Sequence, residues 1–260
     1  VLIIMAFAYR GYRQKKADNE IITKQKEEVE HQKTQIEEAH KEITDSIAYA
    51  KRIQSAILPP MKVIKELLPN SFVLYLPKDV VAGDFYWMEK SGDQLMLAAA
   101  DCTGHGVPGA MVSVVCNNGL NRSVREHGVT QPAQILDKTR EIVIQEFEKS
   151  EEDVKDGMDI ALCSIQKSKS GTSLQFAGAH NPLWVIRKGA QEIEEYKGDK
   201  QPIGKFEASK PFTAHEVELN PGDSFYIFSD GYADQFGGDK GKKFKAANLK
   251  RLLLSVQDKS

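Results

Sequence analysis

The chain has 260 residues, and its 35 lysines and arginines nearly balance its 37 aspartates and glutamates, leaving a formal net charge of −2. Nucleic-acid-binding proteins are usually basic, so we expect no nucleic-acid partner. Hydrophobic residues make up 41% and charged residues 28%, which excludes a disordered chain and a multi-span membrane protein. The three cysteines are too few and too scattered for a disulfide framework or a CxxC metal site.

The N-terminal residues 1–9 are apolar without interruption, and four basic residues follow them: Arg10, Arg13, Lys15 and Lys16. Nine residues cannot cross a bilayer, which takes about 20. Basic residues directly after an apolar segment are typical of the cytoplasmic end of a transmembrane helix. We therefore expect residues 1–9 to be the remnant of a membrane helix, with the rest of the chain on the cytoplasmic face. A short apolar segment packed on the folded domain is the alternative.

Residues 10–60 predict a signalling helix that forms a coiled coil. No proline or glycine lies between residues 18 and 58, and every seventh position there is apolar or small: Ile22, Val29, Ile36, Ile43, Ala50 and Ile57. The accompanying "d" positions of the heptads are mostly polar, so the expected homodimer is marginally stable. A solvated helical spacer is the alternative. Pro59 and Pro60 are expected to end the helix.

Residues 61–260 predict one globular domain with an α+β fold. We expect strands over 72–76, 80–89, 94–100, 158–166, 173–178, 183–187, 212–219 and 224–228, and helices over 108–126, 132–148 and from Ala246 onward. The strands come in consecutive runs, with two helices inserted together. This order indicates antiparallel sheets with helices on the outside, and not a regular alternation of parallel βαβ units.

Three aspartates each follow an apolar strand and begin a turn of small residues. They are Asp84 in AGDFYW, Asp101 in ADCTGHGVPGA and Asp230 in FSDGYAD. An aspartate in such a place is costly to bury unless it is paired or bound to a cation, and carboxylates suit hard divalent cations. A single Asp-Gly turn is ordinary turn chemistry. Three acidic turns of this kind predict a metal site.

The segments AGDFYW, ADCTGHGVPGAM, GMDIAL, FAGAHNPLWVIR and PGDSFYIFSDGYAD occur in the order found in the SpoIIE-type branch of the PPM metal-dependent serine/threonine phosphatases. The chain resembles this branch over about residues 45–255. The resemblance implies a sandwich of two antiparallel β-sheets flanked by α-helices, with two Mn²⁺ or Mg²⁺ ions at one end. It also implies hydrolysis of phosphoserine or phosphothreonine on a regulatory protein, such as an anti-sigma-factor antagonist.

Carried over residue by residue, the resemblance assigns a metal-binding role to four positions. Asp84 is expected to bridge both ions, Asp101 and Asp230 to bind metal, and the backbone carbonyl of Cys102 to be a further ligand. Bound divalent ions activate a water for attack on phosphorus, so Asp84 and Asp101 are expected to be essential for catalysis. His105 is a candidate proton donor to the leaving alkoxide, with stabilisation of the turn as the alternative.

Three further polar residues are expected near the site, in supporting roles or as a further ligand. Asp159 is expected to cap a strand or support the ligands, and His180 to orient a turn near the metals. Asp234 is either a ligand or a hydrogen-bonding partner of the loop that carries Asp230.

Two expectations bear on activity. In the resembled family, a strand after the final helix carries an Asp-Asp pair, and one of its members binds metal. Asp258 has no apolar strand after it, so we expect a C-terminally truncated domain that lacks one ligand. A catalytically weak or inactive dimeric scaffold and a hydrolase of small phosphate esters are the alternatives to a protein phosphatase. The presence of all three strand-end aspartates favours the enzyme.

Overall fold

A computed structural model of the chain describes residues 2–149, 154–168, 171–238 and 241–257. Asp258, and with it the prediction about the C-terminal ligand, lies outside these described residues. The chain divides into two compact units, residues 1–49 and residues 50–260. The first unit is helical, and the second contains all the strands.

Helix α1 (Leu2–Ile57) begins before the predicted coiled-coil segment and ends just before Pro59, as predicted. In the first unit, its heptad residues Ile22, Val29, Ile36 and Ile43 are 59–67% exposed. No helix in the described ranges has an apolar stretch long enough to cross a bilayer. A short helix that we did not predict, α2 (Met61–Leu67), follows and buries Ile64.

The second unit contains two antiparallel sheets. The larger is formed by β1 (Phe85–Ser91), β2 (Gln94–Cys102), β3 (Met158–Ser168), β4 (Gly171–Ala179) and β7 (His215–Leu219), in that spatial order. The smaller has β5 (Leu183–Ile186) between β6 (Glu194–Tyr196) and β8 (Ser224–Ile227). A two-stranded ribbon of β9 (Phe236–Gly237) and β10 (Lys242–Lys243) stands apart from both sheets. The remaining helices are α3 (Gly106–Arg125), α4 (Pro132–Phe147) and α5 (Ala246–Ser255).

Two apolar clusters show how the helices and the two sheets pack together. Along β3, Ile160 and Leu162 belong to the cluster shared with α3 and α4, whereas Ala161 and Cys163 belong to the cluster shared with β5. Because neighbouring side chains of a strand point to opposite faces, β3 is covered on one side by helices and on the other by the second sheet. On the outer side of the smaller sheet, Lys250 of α5 lies 4.9 Å from the ring centre of Trp184. The α+β sandwich with flanking helices is therefore confirmed.

The strand expected over 72–76 is absent, and the strand expected over 80–89 is shorter than expected, because the backbone groups concerned do not pair with a neighbouring strand. Residues 72–76 pair with no strand in the described part of the chain, and the side chains of Phe72, Leu74 and Leu76 remain exposed. The strand expected over 80–89 begins only at Phe85. Before it, the N–H and C=O groups of Ala82 are hydrogen-bonded to the side chain of Gln54 and not to a neighbouring strand.

The strand expected over 212–219 begins at His215, because the preceding N–H groups are taken by side chains. The backbone N–H of Phe212 donates to the Asp137 carboxylate, and that of Thr213 donates to Asp199. The three shortest strands, β6, β9 and β10, were not predicted. Each has only two or three residues, too few for a period-two pattern to be visible.

Candidate active site

The three strand-end aspartates meet at one end of the sandwich. Asp84 precedes β1, Asp101 is the penultimate residue of β2, and Asp230 follows β8 of the other sheet. The Asp101 carboxyl is hydrogen-bonded to the Asp84 carboxyl and to that of Asp230. Residues separated by about 145 positions in the chain therefore come together. The three acidic turns predicted a shared site, but they did not predict the neighbours of each aspartate.

Burial is the largest of the effects that together raise the pKa of Asp101 to about 8; the others are the negative charge of Asp84, a hydrogen bond with Asp84, and the charges of Asp230 and Asp159. The pKa of Asp230 is also raised, by burial first and then by Asp234. Carboxylates this close repel one another, so the group carries negative charge that nearby cations do not fully balance.

Asp84 is held from two sides. The hydroxyl of Ser229 donates to Asp84 Oδ2 at 2.8 Å, and the hydroxyl of Tyr75 donates to the Asp84 backbone carbonyl at 3.1 Å. Burial, followed by the charges of Asp84 and Tyr86, raises the pKa of Tyr75 to about 12, so this phenol remains a donor at neutral pH. Sequence reasoning missed Tyr75, because residues 72–76 had been assigned to an ordinary strand.

Asp159 belongs to the same group. It lies directly opposite Asp101 in the β2–β3 pairing, so both side chains point to the same face of the sheet. The His180 ring lies 2.8 Å from it, with Nδ1 facing Asp159 Oδ1. His180 has a left-handed backbone conformation, with φ of 57°, at the turn after β4. The predicted orienting role of His180 near the site thus has a specific partner.

The turn between β2 and α3 brings backbone close to Asp84. A Cβ atom on Gly83 would lie 2.9 Å from the carbonyl oxygen of Cys102 and 2.8 Å from that of Gly104. A Cβ on Gly109 would lie 2.5 Å from the same Gly104 oxygen. The Cys102 side chain is buried in the core beside Cys116, so the carbonyl is the group of Cys102 that approaches the Gly83–Asp84 segment.

The end of α1 supports the same segment. The Gln54 side chain is buried, although glutamine is usually exposed. Its amide nitrogen donates to the carbonyl of Ala82 at 2.5 Å and to the hydroxyl of Ser113 at 3.0 Å, and its oxygen accepts from the Ala82 N–H at 3.1 Å. Ala82 is two residues before Asp84. No pattern in the sequence distinguishes Gln54 from the other polar residues of the helix.

His105 lies outside the group of carboxylates, whereas Asp234 lies near enough to Asp230 for its charge to raise the pKa of Asp230. The His105 side chain is 84% exposed, and its Nδ1 lies 3.3 Å from Asp79 Oδ2, its hydrogen-bond partner in the described chain. The Asp234 N–H donates to the Asp230 carbonyl at 2.9 Å, and the Asp234 carboxylate pairs with Lys243 at 2.6 Å. The Asp234 backbone therefore hydrogen-bonds the loop that carries Asp230, while the role of its carboxylate stays a prediction.

The donors present suit a hard divalent cation, since carboxylate oxygens and a backbone carbonyl are the ligands that Mn²⁺ and Mg²⁺ prefer. The mutual repulsion of Asp84, Asp101 and Asp230 is the electrostatic situation that a cation would relieve. Within the described residues, however, no three or more His, Cys, Asp or Glu side chains are arranged to hold an ion. The side chains of Asp84, Asp101 and Asp230 are of the chemical type that binds such a metal. In this structure their carboxyl groups contact one another.

Known proteins share this architecture. Residues 91–260 match the family described as stage II sporulation protein E (SpoIIE). The phosphoserine phosphatase RsbU of Bacillus subtilis is 26% identical over 196 residues, which are 74% of this chain and 55% of RsbU. The chain thus spans about half the length of this curated relative.

Two solved structures extend the comparison. The SiaA PP2C domain of Pseudomonas aeruginosa is 32% identical, with 84% of each chain covered and a TM-score of 0.74. The RsbU and RsbW domains of a Mycobacterium tuberculosis protein are 20% identical over 69% of this chain and 47% of that one, with a TM-score of 0.54, a likeness of fold. The family match covers more than half of the chain, so this protein belongs to the SpoIIE family of PP2C-type phosphatase domains.

Proposed function

We propose that the chain is a Mn²⁺- or Mg²⁺-dependent protein phosphatase that hydrolyses phosphoserine or phosphothreonine on a regulatory protein. The observation that carries this proposal is the convergence of Asp84, Asp101 and Asp230 from two sheets, with charges that raise the pKa of Asp101. A structural scaffold has no use for a cluster of carboxylates that repel one another, because their repulsion destabilises the fold.

Four groups would hold the metal: the carboxylates of Asp84, Asp101 and Asp230, and the backbone carbonyl of Cys102. When bound, two divalent ions supply a water acidic enough to attack phosphorus at neutral pH and positive charge against the phosphate. Ser229 and Tyr75 fix the orientation of Asp84 through their hydrogen bonds. Asp159, oriented by His180, adds negative charge beside Asp101.

His105 is the proposed proton donor to the leaving alkoxide, because imidazole holds and releases protons near neutral pH. Its hydrogen bond to Asp79 orients the ring at the start of α3. Replacing His105 with glutamine should slow hydrolysis of a phosphoserine peptide more than that of an aryl phosphate, whose leaving group needs no proton. Equal slowing of both substrates would assign His105 a role in stabilising the turn.

The proposed function is tested by hydrolysis of phosphoserine and phosphothreonine peptides in the presence of Mn²⁺ or Mg²⁺, with chelator as the control. We expect turnover that depends on the metal and exceeds that for small phosphate esters. Preference for small esters would favour the alternative hydrolase. Absence of both turnover and metal binding by calorimetry would favour the scaffold.

We further propose that the chain acts as a homodimer through the coiled coil of α1, on the cytoplasmic side of a membrane. The exposed heptad residues of α1 support the dimer, because a solvated face gains stability by pairing with a second copy. The basic residues after the apolar residues 1–9 support the membrane location. The proposed substrate is a phosphorylated regulator of the anti-sigma-factor-antagonist type, which the family resemblance implies; phosphoserine is also the group named in the description of RsbU. Sedimentation of the purified chain and membrane fractionation of cells test the dimer and the location separately.

A further inference from the structure

A cavity of about 190 Å³ opens beside Asp101. Its walls are the end of β2, the start of β3 and the loop over residues 202–205. Clefts that enclose whole drug-sized ligands measure about 300–1,000 Å³. This cavity is smaller, so it suits the phosphorylated tip of a side chain and not an entire organic molecule.

Two lysines at its rim, Lys155 and Lys205, are the basic side chains among the described residues that line the cavity. Both are exposed. The carboxylates of Asp101 and Asp159 also line the cavity. A cavity that combines carboxylates with ammonium groups can hold a ligand that is itself strongly negative.

The backbone that carries the two lysines is fixed. Met158 and Ile203 exchange a reciprocal pair of backbone hydrogen bonds, at 3.0 and 2.9 Å. A Cβ on Gly157 would lie 2.2 Å from the carbonyl oxygen of Ile203, so the two segments approach as closely as only glycine allows. This contact lies two residues from each lysine.

The same segment is tied to the strand that carries Asp101. The Thr103 N–H donates to the carbonyl of Gly157 at 3.0 Å, and the Thr103 hydroxyl donates to Asp156 Oδ1 at 2.7 Å. The start of each lysine side chain is therefore held at a set place relative to Asp101. Each four-carbon stem has several rotatable bonds, so the ammonium group can move towards a ligand.

We propose that Lys155 and Lys205 bind the non-bridging oxygens of the substrate's phosphoryl group at the rim of the active site. This inference rests on the proposed phosphatase function. A phosphorylated serine carries a charge of about −1.5 to −2 at neutral pH and would be repelled by unbalanced carboxylates. The lysines attract the phosphoryl group into the cavity and hold it beside Asp101, and ammonium groups are suitable point charges for phosphate.

Steady-state kinetics with two substrates test this proposal. Lys155→Ala, Lys205→Ala and the double variant are compared with wild type, using para-nitrophenyl phosphate and a phosphoserine peptide. Lys90→Ala is the matched control, because Lys90 is an exposed lysine at the far end of β1 from Asp84. We expect each single variant to raise KM about tenfold for both substrates, as the loss of one charge-assisted hydrogen bond implies. Lys90→Ala should leave KM unchanged.

Affinity for inorganic phosphate gives a reading independent of turnover. In calorimetry with Mg²⁺ present, we expect each lysine variant to weaken phosphate binding by a similar factor, with melting temperatures equal to that of wild type. Active variants with wild-type KM and wild-type phosphate affinity would overturn the inference and leave the proposed function intact. A higher KM for the peptide only would overturn it too, because the lysines would then contact the protein and not the phosphoryl group. Wild-type protein without metal-dependent turnover would overturn the proposed function itself.

Discussion

Asp101 is the residue on which the most contacts of the site converge. It contacts Asp84 from its own sheet and Asp230 from the other, and it lies opposite Asp159. Replacing it therefore removes one carboxylate from the centre of a repelling group. This predicts opposite effects on activity and on the stability of the metal-free protein.

We expect Asp84→Ala and Asp101→Ala to abolish Mn²⁺-dependent turnover and to weaken Mn²⁺ binding in calorimetry. The metal-free fold should remain intact, because removal of one carboxylate relieves repulsion among the others. Asp93→Ala is the control, since Asp93 is exposed in the turn between β1 and β2, at the opposite end of the hairpin. Normal turnover in either site variant would contradict the assignment of these ligands.

Asp223 shows the reverse electrostatic situation. Burial would raise its pKa, but hydrogen bonds from the backbone N–H groups of Asn220 and Lys188, and from Arg187, outweigh burial and lower the pKa. Its side chain is 3% exposed. Because the folded state favours the charged form, Asp223 stabilises the fold above the unfolded pKa of about 3.9 and loses this contribution as the pH falls further.

We therefore expect Asp223→Asn to lower the free energy of unfolding by about 1–3 kcal/mol at pH 7. The difference from wild type should shrink below about pH 4, where Asp223 begins to be protonated in the unfolded chain, and shrink further as the folded carboxylate is protonated in turn. Urea denaturation at pH 7 and at pH 3 measures both effects. If the variant and wild type differ in free energy of unfolding by the same amount at both pH values, Asp223 contributes through packing and not through its charge.

At the scale of elements, the end of α1 contributes to the site through Gln54. Its contacts with Ala82 and Ser113 join three segments: the helix end, the residues before β1, and α3. Gln54 is thus a positioning residue for Asp84, acting through the backbone of Ala82.

We expect Gln54→Ala to lower the free energy of unfolding by about 1–3 kcal/mol, because it leaves the buried polar groups of Ala82 without their partner. It should also weaken Mn²⁺ binding and lower kcat more than it changes KM, because it releases the segment that carries Asp84. Ser55→Ala, at an exposed position of the same helical turn, is the control. Lower stability with unchanged metal affinity and unchanged kcat would limit Gln54 to a structural role.

The sequence predicted the elements that carry a clear periodicity and missed those determined by long-range contacts. The antiparallel pairing, the two central helices and the convergence of Asp84, Asp101 and Asp230 follow from strand order, apolar patterning and the repeated acidic turns. Residues 72–76 alternate in burial as a strand does, yet none of the strands in the described ranges completes their hydrogen bonds. Gln54 and Tyr75 could not be predicted, because their partners are separated from them in sequence and brought together only by the fold.

At the scale of the whole molecule, the two units make separable contributions. The helical unit exposes its heptad residues, and the second unit contains the carboxylates and the lysines of the cavity. The proposed dimer therefore depends on residues far from the catalytic groups in the sequence, which allows it to be disrupted without altering the site.

We expect Val29→Ser together with Ile36→Ser to convert the dimer into a monomer, because a marginal coil tolerates few losses from its apolar seam. Glu27→Ser with Thr34→Ser, two exposed positions outside that seam, is the matched control. Analytical ultracentrifugation measures the mass of each variant, and circular dichroism monitors the helix. A Val29/Ile36 variant that remains dimeric would place the association outside the coil.

The close approach of Gly83, Gly104 and Gly109 also determines which mutations the protein tolerates. In each contact the obstructing atom belongs to the backbone, so no change of rotamer can make room for even a methyl group. Gly237 differs, because nothing lies within 4 Å of the place a Cβ would take. In a library of all single substitutions selected for turnover, Gly83 and Gly109 should accept no replacement, while Gly237 should accept many. The β2–α3 turn is therefore a poor target for engineering.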